Sequence, residues 1–167
     1  MIDSNPDFPQ NKALSDIAKT IRIRNKENFK KRVFISYPKA ASIHAKMVKD
    51  KLENLYFLDE YQQADGNIIM TEVIKRIRKC DYFLGIWHHE ESTRTQDEKF
   101  GISPWMPLEL GIAISEEKEF MVILSEKLND EIWKRIKTEK GIPKYNDDNI
   151  GTIIDKVVQF FKNNSAK

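Results

Sequence analysis

Tyr82-Phe83-Leu84-Gly85-Ile86-Trp87 is an unbroken apolar run of strand length. A strand with one wet face alternates polar and apolar residues. One that does not alternate is covered on both sides, as in the middle of a parallel sheet. The runs around it fit that placement. Val33-Phe34-Ile35 reads as a short buried strand, and Leu55-Tyr56-Phe57-Leu58 as a second that ends at Asp59-Glu60. Phe120-Met121-Val122-Ile123-Leu124 follows as a fourth. Gly141-Ile142-Pro143-Lys144-Tyr145 is a short fifth, which Pro143 confines to an edge.

Helical spacing fills the intervals. Ala41, Ala45, Val48, Leu52 and Leu55 line one face, as do Met70, Val73, Ile74 and Ile77. Ile132, Trp133 and Ile136 predict a helix over 129–138, and Ile150, Ile153, Ile154, Val157 and Phe161 a closing one. Repeated strand–helix units of this size imply right-handed crossovers. The expected fold is α/β, a flavodoxin-like three-layer sandwich. Its five-stranded parallel sheet has order 2-1-3-4-5 and carries helices on both faces. That domain spans 31–161. Residues 1–30 are expected to be a disordered leader plus an amphipathic helix over 11–26, carrying Leu14, Ile17, Ala18 and Ile21. Residues 162–167 are expected to be a polar tail.

Composition narrows the class. The chain has 167 residues, 40% hydrophobic and 32% charged, an ordinary globular profile. Net charge is +2, too small to argue for nucleic acid, although residues 1–32 carry eight basic against four acidic side chains. No signal-like start and no apolar run of membrane length is present, so a cytoplasmic protein without membrane contact is expected. The single cysteine, Cys80, excludes an internal disulfide and a cysteine-rich metal site.

The chemistry is concentrated behind the third strand, in Ser103-Pro104-Trp105-Met106-Pro107-Leu108-Glu109-Leu110-Gly111-Ile112-Ala113-Ile114. From Pro104 to Ile114 the one ionisable group is Glu109. Ser103 is a candidate cap, and both prolines fit only an opening turn. Apolar residues surround this helix rather than striping it, so it is expected to be covered by other elements. A carboxylate in that setting is paired, hydrogen-bonded or working. The macrodipole favours a glutamate near a helix start for purely structural reasons too. In a 2-1-3-4-5 sheet, ligands sit beyond the strand ends at the switch between strands one and three. Those ends carry Ser36-Tyr37 and Trp87-His88-His89, which directs Glu109 toward the same crevice.

These stretches resemble a TIR (Toll/interleukin-1 receptor-like) domain. Phe34-Ile35-Ser36-Tyr37 is similar to the family's first motif. Leu58-Asp59, Gly66 and the helix through Ile77 resemble its second strand, BB loop and following helix. Trp105-Met106-Pro107-Leu108-Glu109-Leu110 keeps a W-x-x-x-E-L spacing. Departures are the Pro38-Lys39-Ala40-Ala41 segment, Met106 at a common cysteine position, and the Gly85-Ile86-Trp87-His88 strand end.

The resemblance implies NAD cleavage at the nicotinamide–ribose bond, with Glu109 catalytic. NAD would be the substrate, and no separate cofactor is implied. It also implies self-association or a separate sensor partner, in bacterial anti-phage defence. Ser36, Tyr37, Asp59, Gly66, Trp87 and Trp105 are the candidate substrate-binding residues. Each has a plainer reading as well: strand-end hydrogen bonding for Ser36 and Tyr37, turn capping for Asp59, a turn signal for Gly66, core packing for Trp87 and Trp105. His88-His89-Glu90-Glu91 lacks metal-ligand spacing, so no metal site is expected. His44 is expected at a surface or boundary, and Cys80 as an inert thiol. Two other functions remain open on this fold. One is a non-catalytic interaction module. The other is a nucleotide binder or deoxyribosyltransferase-like enzyme using Glu109 as nucleophile.

Overall fold

The computed structural model describes Asp16 and residues 30–61, 70–89, 103–128 and 142–165. The chain divides into two compact units, Met1–Lys30 and Lys31–Lys167. The second contains strands β1 (Arg32–Ser36), β2 (Phe57–Asp59), β3 (Tyr82–Trp87), β4 (Glu119–Ser125) and β5 (Lys144–Tyr145). Its described helices are α1 (Ser42–Leu52), α2 (Met70–Lys79), α3 (Trp105–Ser115) and α4 (Ile150–Ser165), with a 3-10 turn at Lys39–Ala41. The sheet is parallel and ordered β2-β1-β3-β4-β5, as the apolar runs predicted. Apart from Asp16, which is helical, the expected leader helix over 11–26 lies outside the described residues, as do the helix over 129–138 and Gly66.

Strand alternation sorts the core into two layers. Val33, Ile35, Tyr82, Leu84, Ile86 and Ile123 face α1 and α4, meeting Ala45, Val48, Leu52, Ile153, Val157 and Phe161. Phe34, Phe83, Trp87, Val122 and Leu124 face α2 and α3, meeting Val73, Ile77, Met106, Leu110 and Ala113. Every residue of β3 is buried, as its lack of alternation required.

Several boundaries differ from the sequence reading. Leu55 is exposed beyond α1, because the helix ends at Leu52 and the chain turns through Leu52 O to reach β2. The expected polar tail starts later, since α4 runs through Ser165, whose Oγ bonds Phe161 O at 2.7 Å and the hydroxyls of Tyr56 and Tyr82 at 3.2 Å. At α3, Pro104 rather than Ser103 occupies the cap, and no side-chain bond closes it. The helix is also not covered all round. Met106, Leu110 and Ala113 are buried, while Trp105, Leu108 and Ile114 are exposed, and nothing lies within 4 Å of a Cβ built on Gly111.

Candidate active site

Ser36 is the last residue of β1, and alternation turns it with Phe34 toward α2 and α3. There its hydroxyl donates to Glu109 Oε2, so a residue at a strand's C-terminal end meets one in the second turn of α3. Ser36 is buried and Glu109 partly buried. Burial raises the Glu109 carboxyl above its ordinary range, and the Ser36 hydrogen bond opposes that rise. Among the described residues no basic side chain pairs with it. This is a desolvated acid held by one hydroxyl at the β1–β3 switch point. A salt-bridged structural glutamate would instead show a cation against it.

Ser36 lies opposite Gly85 in the register of β1 and β3. The missing side chain at Gly85 is replaced by the indole of Trp87, which folds back along its own strand. A Cβ at Gly85 would stand 2.5 Å from Trp87 Nε1 and 3.0 Å from Cδ1. Trp87 is wholly buried and forms the wall beside Ser36, so it stands in the core. Trp105 stands one turn before Glu109 on α3 and is 42% exposed, an aromatic face open beside the carboxylate.

Tyr37 and Asp59 are engaged elsewhere. Tyr37 follows Ser36 and therefore projects to the opposite side of the sheet, where its hydroxyl donates to Glu60 Oε2 at 2.7 Å and accepts from Lys49 Nζ at 3.1 Å. Asp59 accepts from Arg76 Nη1 at 2.7 Å, which clamps β2 to α2. Both line a groove of about 740 Å³ between α1 and β2, with Ile35, Lys46, Tyr56 and Leu58, apart from Ser36 and Glu109. Cys80 is buried, and burial with the nearby Asp59 charge pushes its thiol up to about 12, consistent with an inert role.

The sequence reading missed a second polar cluster. All three histidines of the chain converge at the C-terminal rim. His44 comes from α1, and His88 and His89 follow β3. The His44 and His88 ring centres are 5.3 Å apart, and those of His88 and His89 are 4.3 Å apart. Tyr145, Asp147 and Ser125 complete the group. The partners lie far apart in sequence, so no local spacing announces them. Among the described residues no set of three or more His, Cys, Asp or Glu side chains is arranged to hold a metal ion. No described helix is long and apolar enough to cross a membrane.

No protein-family model and no curated protein matches the chain. Solved structures match it in fold. A CMP N-glycosidase from Clostridium botulinum aligns with TM-score 0.50 at 18% identity, over 77% of this chain and 99% of its own. A 2-desoxiribosyltransferase from Leishmania mexicana aligns with TM-score 0.50 at 11% identity, over 75% and 97%. The TIR domain of a Toll-related receptor from Hydra magnipapillata aligns with TM-score 0.50 at 11% identity, over 75% and 93%. At these identities the likeness is one of fold, and the TIR domain is one of several fold matches.

Proposed function

We propose that the chain cleaves the N-glycosidic bond of a nucleotide, with NAD as the substrate and its nicotinamide–ribose bond as the one broken. The observation that carries this reading is the Glu109 carboxylate, desolvated, without a basic partner among the described residues, and held by Ser36 at the switch point. Two of the similar folds belong to proteins named for glycosidase and desoxyribosyltransferase chemistry, which supports a sugar–base bond as the target.

The chemistry suits one carboxylate. As C1′–N breaks, the bonding pair returns to the pyridinium nitrogen and nicotinamide leaves neutral, so no general acid is required. Positive charge develops on the ribose, and an ionised Glu109 stabilises it. Ser36 occupies Oε2, which leaves Oε1 as the oxygen for the sugar. Water then adds at C1′ and loses a proton, giving ADP-ribose. An adenine nitrogen of the same molecule in that role gives a cyclic product. In this reading the exposed Trp105 stacks on a ring of the substrate.

The test is incubation of the full chain with NAD, with products separated chromatographically. Nicotinamide should appear, and Glu109→Ala should release at least about 100-fold less. Undiminished release in that variant would refute the role of Glu109. A parallel incubation with CMP and with 2′-deoxynucleosides covers the second reading, nucleoside chemistry with Glu109 as nucleophile. Base release there and none from NAD would favour it. The exposed apolar arc of α3 supports the third reading, a non-catalytic interaction module, which predicts partner binding and no base release from any of these substrates.

A further inference from the structure

The histidine cluster meets the candidate site at Trp87, which His88 follows in the chain and Tyr145 contacts. Tyr145 Oη lies 3.0 Å from His88 Nδ1 and 3.4 Å from the Trp87 carbonyl oxygen. The phenol has one hydrogen, so it serves one of these acceptors at a time. With His88 neutral and its hydrogen on Nε2, the shorter bond takes it, and Tyr145 donates to Nδ1. With His88 protonated, Nδ1–H becomes a donor. Tyr145 must then accept from His88 and turn its hydrogen to the Trp87 carbonyl. The same Trp87 carries the indole that fills the space over Gly85, beside Ser36.

We propose that His88 and Tyr145 are positioning residues for the Ser36–Glu109 site: they hold the Trp87 backbone, and the charge on His88 sets the direction of the Tyr145 hydrogen bond that holds it. This rests on the reading of Ser36 and Glu109 as the working site, but its test does not require turnover. The groups facing His88 are His89 beside it, His44 from α1, Tyr145 from β5, Asp147 from the turn before α4, and Lys127 after β4. Burial, then His89, His44 and Lys127, hold the His88 imidazole down to about 4, against the opposing pull of Asp147. Burial keeps the Tyr145 phenol protonated. At neutral pH the imidazole is therefore uncharged, and with its hydrogen on Nε2 the arrangement is phenol to imidazole. His44 Nε2 lies 3.0 Å from Asp147 Oδ1, and its Nδ1 is buried without a hydrogen-bond partner among the described residues, which assigns the hydrogen to Nε2. Stacked this closely, imidazoles repel when more than one is charged.

The experiment is nuclear magnetic resonance of the full chain labelled with ¹⁵N in tryptophan and histidine, with the Trp87 indole signal identified by its loss in Trp87→Phe. At pH 7, Tyr145→Phe should shift the Trp87 indole resonance by more than His88→Gln does, while the Trp105 signal stays put. On acidification of the folded wild type, the Trp87 resonance should move with the midpoint of the His88 ring, and in His88→Gln it should not follow. An unmoved Trp87 signal in folded Tyr145→Phe overturns the proposal. So does a His88 titration that leaves Trp87 unchanged. If Tyr145→Phe fails to fold, the wild-type and His88→Gln titrations decide alone. Nicotinamide release, measured separately, reports on the catalytic reading, so loss of one result leaves the other standing.

Discussion

Glu109 shows what a buried acid does to the protein that carries it. Its carboxyl is raised by burial, so the neutral form is favoured in the folded state. The folded chain therefore holds its proton to higher pH than the unfolded chain does. That contribution is greatest below the ordinary carboxylate range and is lost as pH rises through the raised value. Glu109→Gln should consequently melt higher than wild type at pH 7, by roughly 0.5–2 kcal/mol in stability, and the gain should vanish near pH 4. The same variant should lose nicotinamide release. Wild-type activity should rise with pH along a limb above the usual carboxylate range, because the proposed chemistry needs the ionised acid. Thermal melts across pH and a pH–rate profile check both. Gly85 is the complementary case. A methyl group there would sit 2.5 Å from a wholly buried indole with no open side to swing into. Gly85→Ala should cost about 1–3 kcal/mol in denaturant unfolding and lower activity as Trp87 is displaced beside Ser36.

The elements were legible wherever a period was strong. The uniform burial of β3 and the apolar faces of α1, α2 and α4 follow from residue spacing alone. The end of α3 did not announce itself. Lys118 N bonds Ala113 O at 2.9 Å and Glu117 N bonds Ile114 O at 3.0 Å, around Glu117 at φ 53°. This left-handed closure usually takes glycine, and a glutamate there lacks the usual composition signal. Glu117→Gly should stabilise the chain by about 0.5–1 kcal/mol, read as a higher denaturant midpoint with unchanged slope. The outer side of α3 was misread for a different reason. An all-round apolar helix predicts all-round cover, yet the sheet and α2 reach only the side of Met106, Leu110 and Ala113. Alternation in β1 was readable and separates Ser36 from Tyr37. Neighbours at one strand end, the two side chains point to opposite layers.

At the scale of the whole molecule, long-range convergence is what sequence could not supply. His44, His88 and Tyr145 meet only because α1 begins, and β3 and β5 end, at one rim of the sheet. Their consequence for stability runs opposite to that of Glu109. His88 is held down to about 4, mainly by burial, so the unfolded chain binds its proton first on acidification. Its contribution is fully present above the ordinary histidine range, near 6.5, and is lost as pH falls from there to about 4. Between those limits the two groups pull in opposite directions: acidification relieves Glu109 and penalises neutral His88. His88→Gln removes only the second effect. Its denaturant midpoint, followed from pH 7 to pH 4, should fall less steeply than that of wild type. A double variant with Glu109→Gln should be flatter than either single one. Parallel wild-type and His88→Gln curves over that window would mean that the rim histidine does not couple folding to protons. An additive double variant would place the two groups in separate networks. A non-additive one would show that the rim and the acid are coupled.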